Sequence, residues 1–299
     1  MKGIFAGRSV LFQVGVLAAM MLTSFLMASA VSFMFTVAMM LAGAGTDSAA
    51  YTQCVQLLAS VLVFLFPAVA TAWLCSVQPA TFIGLGRVPG VRLSGWIAVA
   101  TLLLSPAISL AGHFNMQMQL PEFMAPLEQF FREAERTAEE MFAKMIGEGG
   151  LLSWLVNIVV MAVAAAVCEE FFFRGALLGI LRRKMRNPHV VIWLVAFIFS
   201  AIHFQFYGFV PRMLLGAFMG YLLLWTGSIW APVFAHFLNN AMAVTGMSSR
   251  ALKDSALFAN ELNADDMVWF SVVAVIALAG FFGCLWGIKF EVRNSKFKI

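Results

Sequence analysis

Two adjacent acids and a guanidinium stand in the run Cys168-Glu169-Glu170-Phe171-Phe172-Phe173-Arg174, inside a segment apolar enough to cross a bilayer. At mid-membrane an ionised side chain costs roughly 2.5–3.5 kcal/mol on insertion scales, so such groups face a bundle interior and pair. Glu170 and Arg174 are four residues apart, acid first, which is the favourable order on one helix face. Glu169 lies about 100° round the helix from Glu170, and this pairing leaves it without an obvious cationic partner. Two later apolar segments carry polar groups of their own, Phe199-Ser200-Ala201-Ile202-His203 and His236-Phe237-Leu238-Asn239-Asn240. A free carboxylate, two imidazoles and an amide are suitable parts for hydrolysis: the acid deprotonates water, and histidine or amide donors stabilise a tetrahedral oxyanion. Taken singly, each histidine also reads as a hydrogen-bond link between helices. As a set meeting in a dry cavity, they point to catalysis.

These groups need helices to carry them. At about 20 apolar residues per span, the chain offers eight candidates, near 11–42, 54–77, 94–112, 151–181, 189–207, 210–226, 229–247 and 267–288. The expected fold class is therefore an all-α polytopic membrane helix bundle, with about eight transmembrane helices and one amphipathic surface helix. Counted at 1.5 Å per residue from the ends flanked by basic loops, Glu169 and Glu170 lie roughly 17 Å deep, His203 roughly 21 Å, His236 roughly 11 Å and Asn240 roughly 17 Å. Tryptophans fall near the proposed boundaries, Trp73, Trp96, Trp154, Trp193, Trp225, Trp230 and Trp269 among them, with Trp286 toward the far end, as amphipathic rings prefer.

Composition agrees. The 299 residues are 62% hydrophobic and 11% charged, against about 25% charged in a soluble domain. The net charge of +4 does not indicate nucleic acid, because the basic residues sit in short loops beside apolar spans. Lys2 and Arg8, Arg87 and Arg92, the run Arg182-Arg183-Lys184-Met185-Arg186, and Lys289, Arg293, Lys296 and Lys298 share one side if every span crosses. Asp47, the Glu-rich connection 113–150, and Glu261, Asp265 and Asp266 share the other. Both termini are thus expected to be cytoplasmic, in a multi-pass protein of the cell (inner) membrane. The apolar run after Arg8 continues to about Leu41, longer than the 7–15 residues of a signal h-region, and reads as a retained first helix. Cys54, Cys75, Cys168 and Cys284 show no CxxC spacing and read as packed thiols.

Within 113–150, the positions Leu127, Phe130, Phe131, Ala134, Ala138, Met141, Phe142 and Met145 repeat at helical spacing, predicting an amphipathic helix on the outer face. Glu139-Glu140 and Lys144 there copy the spacing of the central motif, but in a solvated setting where such pairs are ordinary. Gly216 and Gly220 form a GxxxG, expected to serve close helix packing. Three regions result: 1–150 with three spans and the acidic insertion, a core over 151–247, and 248–299 with a last span and basic tail.

The ordered trio Glu169-Glu170-x-x-x-Arg174, Phe199-x-x-x-His203 and His236-x-x-x-Asn240 resembles the motifs of the CAAX prenyl endopeptidase and bacteriocin-processing family (CPBP, also called Abi) over about 151–247. That resemblance implies an intramembrane endopeptidase whose cavity opens toward the cytosol, acting on membrane-associated peptides or proteins, some of them lipidated. By position, Glu169 would activate water with help from His203, His236 and Asn240 would stabilise the oxyanion, and Glu170 and Arg174 would hold these groups in place.

Zinc is the alternative to a metal-free glutamate base. Glu169, His203 and His236 would be the ligands, leaving a water position open, but there is no HExxH and no cofactor is favoured. Intramembrane acids and histidines also build proton relays in transporters, which would predict repeats and interrupted helices in matching positions; a catalytically idle scaffold is the third reading.

Overall fold

The structure, a computed structural model, describes residues 2–43, 45–86, 88–147, 150–249, 252, 255–257 and 264–294, with the main chain alone at 264 and 265. Among the described residues ten helices form: α1 Val10–Leu41, α2 Ala49–Cys75, the short α3 Pro79–Ile83, α4 Val91–Met116, α5 Ala125–Ile146, α6 Leu151–Leu181, α7 Pro188–Ala201, α8 Phe209–Thr226, α9 Trp230–Ser248 and α10 Ala264–Asn294. Local chemistry sets several of their limits. Ser9 and Ser48 accept from the Phe12 and Tyr51 N–H groups at the starts of α1 and α2, and α8 stops at Gly227, whose φ of 64° suits only glycine comfortably.

Each of the eight expected apolar segments contains a helix, but among the described residues six helices are long and apolar enough to cross a membrane: α1, α2, α4, α6, the helix ending at Thr226, and α10. Two fall short, for identifiable reasons. The segment expected over 189–207 ends at Ala201 after 14 residues, about 21 Å of helix, because Phe204 adopts φ 55° and the chain turns through Phe206–Gly208. Helix α9 is diluted by His236, Asn239 and Asn240.

Links at the two ends of the bundle place successive apolar helices antiparallel. At one end Gly3 and Phe5 N–H donate to the Trp73 and Leu74 carbonyls, Arg183 donates to Gln13, Ile229 N–H donates to Gly84, and Lys289 lies over Trp225. At the other, Lys144 pairs with Asp47, Gln53 donates to Asn157 at 2.7 Å, Asn115 donates to the Phe206 carbonyl, and Trp154 donates to Thr245. Among the described residues the first end carries nine basic side chains and one acid, Glu291; the second carries eight acids and four bases, Arg212 among them. Arg87, Glu261, Lys296 and Lys298 lie outside the described residues, as does the Asp265 side chain.

Lipid tails are as apolar as leucine, so helices in a membrane associate through close packing and polar links rather than through burial from water. The small residues show this. A Cβ on Gly220 would stand 2.8 Å from Ile192, and one on Gly216 would stand 3.2 Å from both Phe199 and the Arg174 guanidinium, so the GxxxG seats α8 directly on α7. Around that seam pack Phe173, Ala176, Ile192, Val195, Ala196 and Ala217. A second core joins Ile97 and Leu104 of α4 to Leu222 of α8 and to Phe281 and Ile288 of α10. Three cysteines are buried as expected, whereas Cys54 is exposed on α2.

Helix α5 is amphipathic as its spacing predicts, yet its apolar face does not simply lie outward. Phe131 stacks on Phe206, Phe130 meets Phe204 edge-on, Met145 is buried, and Asn157 donates to the Met145 carbonyl. The helix therefore covers the acidic end of the bundle.

Candidate active site

Helix α6 is built unevenly. Wide, π-type turns at Ile158–Ala164 and Phe171–Leu178 flank the ordinary turn Ala165–Glu170 that holds both acids, and such turns often mark functional positions in helices. Adjacent residues point about 100° apart, so Glu170 enters the bundle while Glu169 faces a cavity.

Glu170 is fully enclosed. Its Oε1 accepts from Arg174 Nη1 and from His236 Nδ1, each at 2.8 Å. Arg174, also without side-chain exposure, donates through Nη2 to the Gly216 carbonyl at 2.8 Å and lies 4.6 Å over the Phe199 ring. Gly216 thus combines close packing with acceptance from the guanidinium. Phe199 in turn meets His203 and His236 edge-on, at 5.2 and 6.1 Å between ring centres, so one aromatic side chain spaces the cation and both imidazoles.

Glu169 is 15% exposed, and its Oε2 lies 3.9 Å from His236 Nε2. That is too long for a direct hydrogen bond and short enough for a single water to bridge at a bent angle. His203, just beyond the end of α7, donates from Nδ1 to the Phe199 carbonyl at 2.7 Å, which leaves Nε2 as the acceptor of the neutral ring. Asn240 donates one amide proton to the Met161 carbonyl at 3.1 Å and accepts from Asn239 at 3.2 Å, keeping a second amide proton. Glu169, His203, His236 and Asn240 all line one cavity of about 310 Å³, with Arg212 and Asn239. A larger space of about 760 Å³ continues from Glu169, His203 and Asn240 to Glu139, Phe142 and Met145 of α5.

The structure thus links Glu170, Arg174 and His236 directly, sets Glu169 beside His236, and brings His203 and Asn240 to the same cavity wall. Glu140 and Lys144 pair elsewhere, with Arg136 and Asp47, as surface groups do, while Glu139 lines the larger space. The sequence reading passed over Arg212, which lines both spaces and donates to Gln205 at 2.7 Å. Its signal was available: an arginine near the start of an apolar span raises the same question as Arg174.

Among the described residues no three His, Cys, Asp or Glu side chains gather closely enough to hold a metal ion. As placed, Glu169, His203 and His236 do not form the ligand set that zinc would need.

Residues 151–242 match the family described as Type II CAAX prenyl endopeptidase Rce1-like. The match bears out the resemblance carried by the motifs, and all six singled-out residues lie within it. An uncharacterized protein of Bacillus subtilis (strain 168), YpbD, is 28% identical over 90 residues, covering 29% of this chain and 43% of that protein. The match thus spans less than half the length of that relative. No solved structure matches this chain.

Proposed function

We propose that the protein is an intramembrane endopeptidase that hydrolyses peptide bonds of membrane-associated peptides or proteins without a metal. Glu169 takes a proton from water as it attacks the scissile carbonyl, and returns that proton to the leaving amine. His203, its Nδ1–H committed to Phe199, accepts a hydrogen from the water at Nε2 and orients it. The oxyanion receives the spare amide proton of Asn240 and is stabilised beside it by the ring of His236. Glu170 and Arg174 are positioning residues: the carboxylate fixes His236 through Nδ1 and the guanidinium fixes the carboxylate. Preorganised donors in a water-poor site are the largest source of such stabilisation.

One observation carries this reading. Arg174 and His236 share one oxygen of Glu170, and Glu169 is the acid left facing the cavity. Comparing membrane peptides from cells with wild-type protein and with Glu169→Ala tests it. Products that vanish with the variant, while the variant remains folded, support the peptidase. Unchanged products sink it, and lost solute flux without any cleavage favours a transporter.

A further inference from the structure

We propose that the cavity opens on the extracytoplasmic face, so that its substrates are apolar segments of exported or outer-leaflet polypeptides rather than cytosolic tails. The proposal rests on the peptidase reading for the word substrate, and on two observations for the side of the membrane.

The first is which end the cavity reaches. From Glu169 it runs to Glu139 and Phe142 on α5, Gln205 in the turn after α7, and Met247 near the end of α9. All four belong to the acidic end. No described residue of the turns 76–90, 182–187 or 227–229 lines either space. The second is charge. The six-residue turn 182–187 holds four cations, and the whole basic end carries nine against one acid among the described residues. Short loops rich in Lys and Arg stay in the cytoplasm, and the anionic inner leaflet attracts such clusters. The acidic end would be repelled there. The loop charges led to cytoplasmic basic loops and the family resemblance implied a cytosolic cavity; this geometry permits only one of them, and the charge decides which.

The lining narrows the substrate. Met141, Met145, Met161 and Met247 surround the larger space with Phe142 and Val244. Flexible, polarizable thioethers accept apolar side chains of varied shape, which suits a stretch of membrane-anchored polypeptide with no fixed sequence.

Topology can be read without any cleavage. In a Cys54→Ser background, where the other three cysteines are buried, a membrane-impermeant maleimide should label Glu139→Cys in intact cells. It should reach Lys184→Cys, exposed in the turn 182–187, only after permeabilisation. Labelling of Lys184→Cys in intact cells, or of Glu139→Cys only after permeabilisation, overturns the proposal. Paired fusions of a fluorescent protein and of alkaline phosphatase after Ile299 give the answer with no substituted cysteine; fluorescence without phosphatase activity is expected, and the opposite result overturns the proposal. Because neither readout needs hydrolysis, a topology failure is distinguishable from a peptidase failure, which the Glu169→Ala comparison reports.

Discussion

Glu170 and His236, 66 residues apart in the chain, meet through one 2.8 Å hydrogen bond between Oε1 and Nδ1 inside the bundle. That contact gives the ring an orientation, aims Nε2 toward Glu169, and ties α9 to α6.

Glu169→Gln keeps the shape of the side chain and removes the base. We expect peptide cleavage to fall by about 10²–10⁴-fold, the contribution typical of a general base, with an unchanged melting temperature in detergent. Cleavage within a few-fold of wild type would assign the base elsewhere.

Arg174→Met leaves Glu170 as an enclosed charge with only His236 beside it, and breaking a buried pair from one side costs about 3–5 kcal/mol. The double variant Glu170→Met/Arg174→Met should recover much of that stability, since apolar replacement of both partners is often neutral, yet remain inactive because His236 is no longer held. Thermal unfolding and cleavage, measured on the same preparations, separate the two effects. Recovery of both would deny Glu170 and Arg174 any positioning role.

Gly216→Ala places a methyl 3.2 Å from the guanidinium and from Phe199, and 3.3 Å from the Ala196 backbone. Neither ring nor backbone can yield far, so we expect a loss of about 1–3 kcal/mol from overpacking. Gly283, with nothing within 4 Å of an added Cβ, is the control. Equal effects of Gly216→Ala and Gly283→Ala would mean that α7 and α8 are not seated this closely.

Acid should loosen α5 only at low pH. Arg132 hydrogen-bonded to Glu128 holds that carboxyl below the usual carboxylate range, and Glu128 also accepts from Leu120 N–H and the Tyr207 hydroxyl. A depressed folded-state pKa contributes stability that is complete above the unfolded value, about 4.3 for Glu, and is lost as pH falls through the lower folded value. Hydrogen exchange over 120–132 should therefore be flat from neutral pH to about 5 and rise below about 4, with the rise absent in Glu128→Gln. A rise already near neutral pH would assign the docking to another group.

Prolonged dialysis against a strong zinc chelator should leave cleavage unchanged, because the described His and Glu side chains do not assemble as ligands. Activity that disappears and returns only on adding zinc would reverse this.

Parts of this arrangement are legible from spacing alone. The limits of α6 follow from its apolar run, and the Glu170–Arg174 contact from an interval of four, because both depend on neighbours along one helix. What lies between helices is less legible. Periodicity says which face is polar but not which partner it meets, so the bond from His236 to Glu170 and the wall contributed by α5 required coordinates. Helix α7 ends early for a reason invisible to hydropathy, the positive φ of Phe204. Arg212 is a different case: one charge in an apolar span, legible by the same argument as Arg174.

The brevity of α7 has a bearing on where the reacting water comes from. Val190, Trp193, Leu194 and Phe197 keep one side of this helix open, so its 14 residues present lipid with about 21 Å of apolar length against a hydrocarbon layer of about 30 Å. A bilayer meets such a mismatch by thinning beside the short element. The dimple would form on the flank that ends at His203, bringing bulk solvent close to a site that hydrolysis must keep supplied.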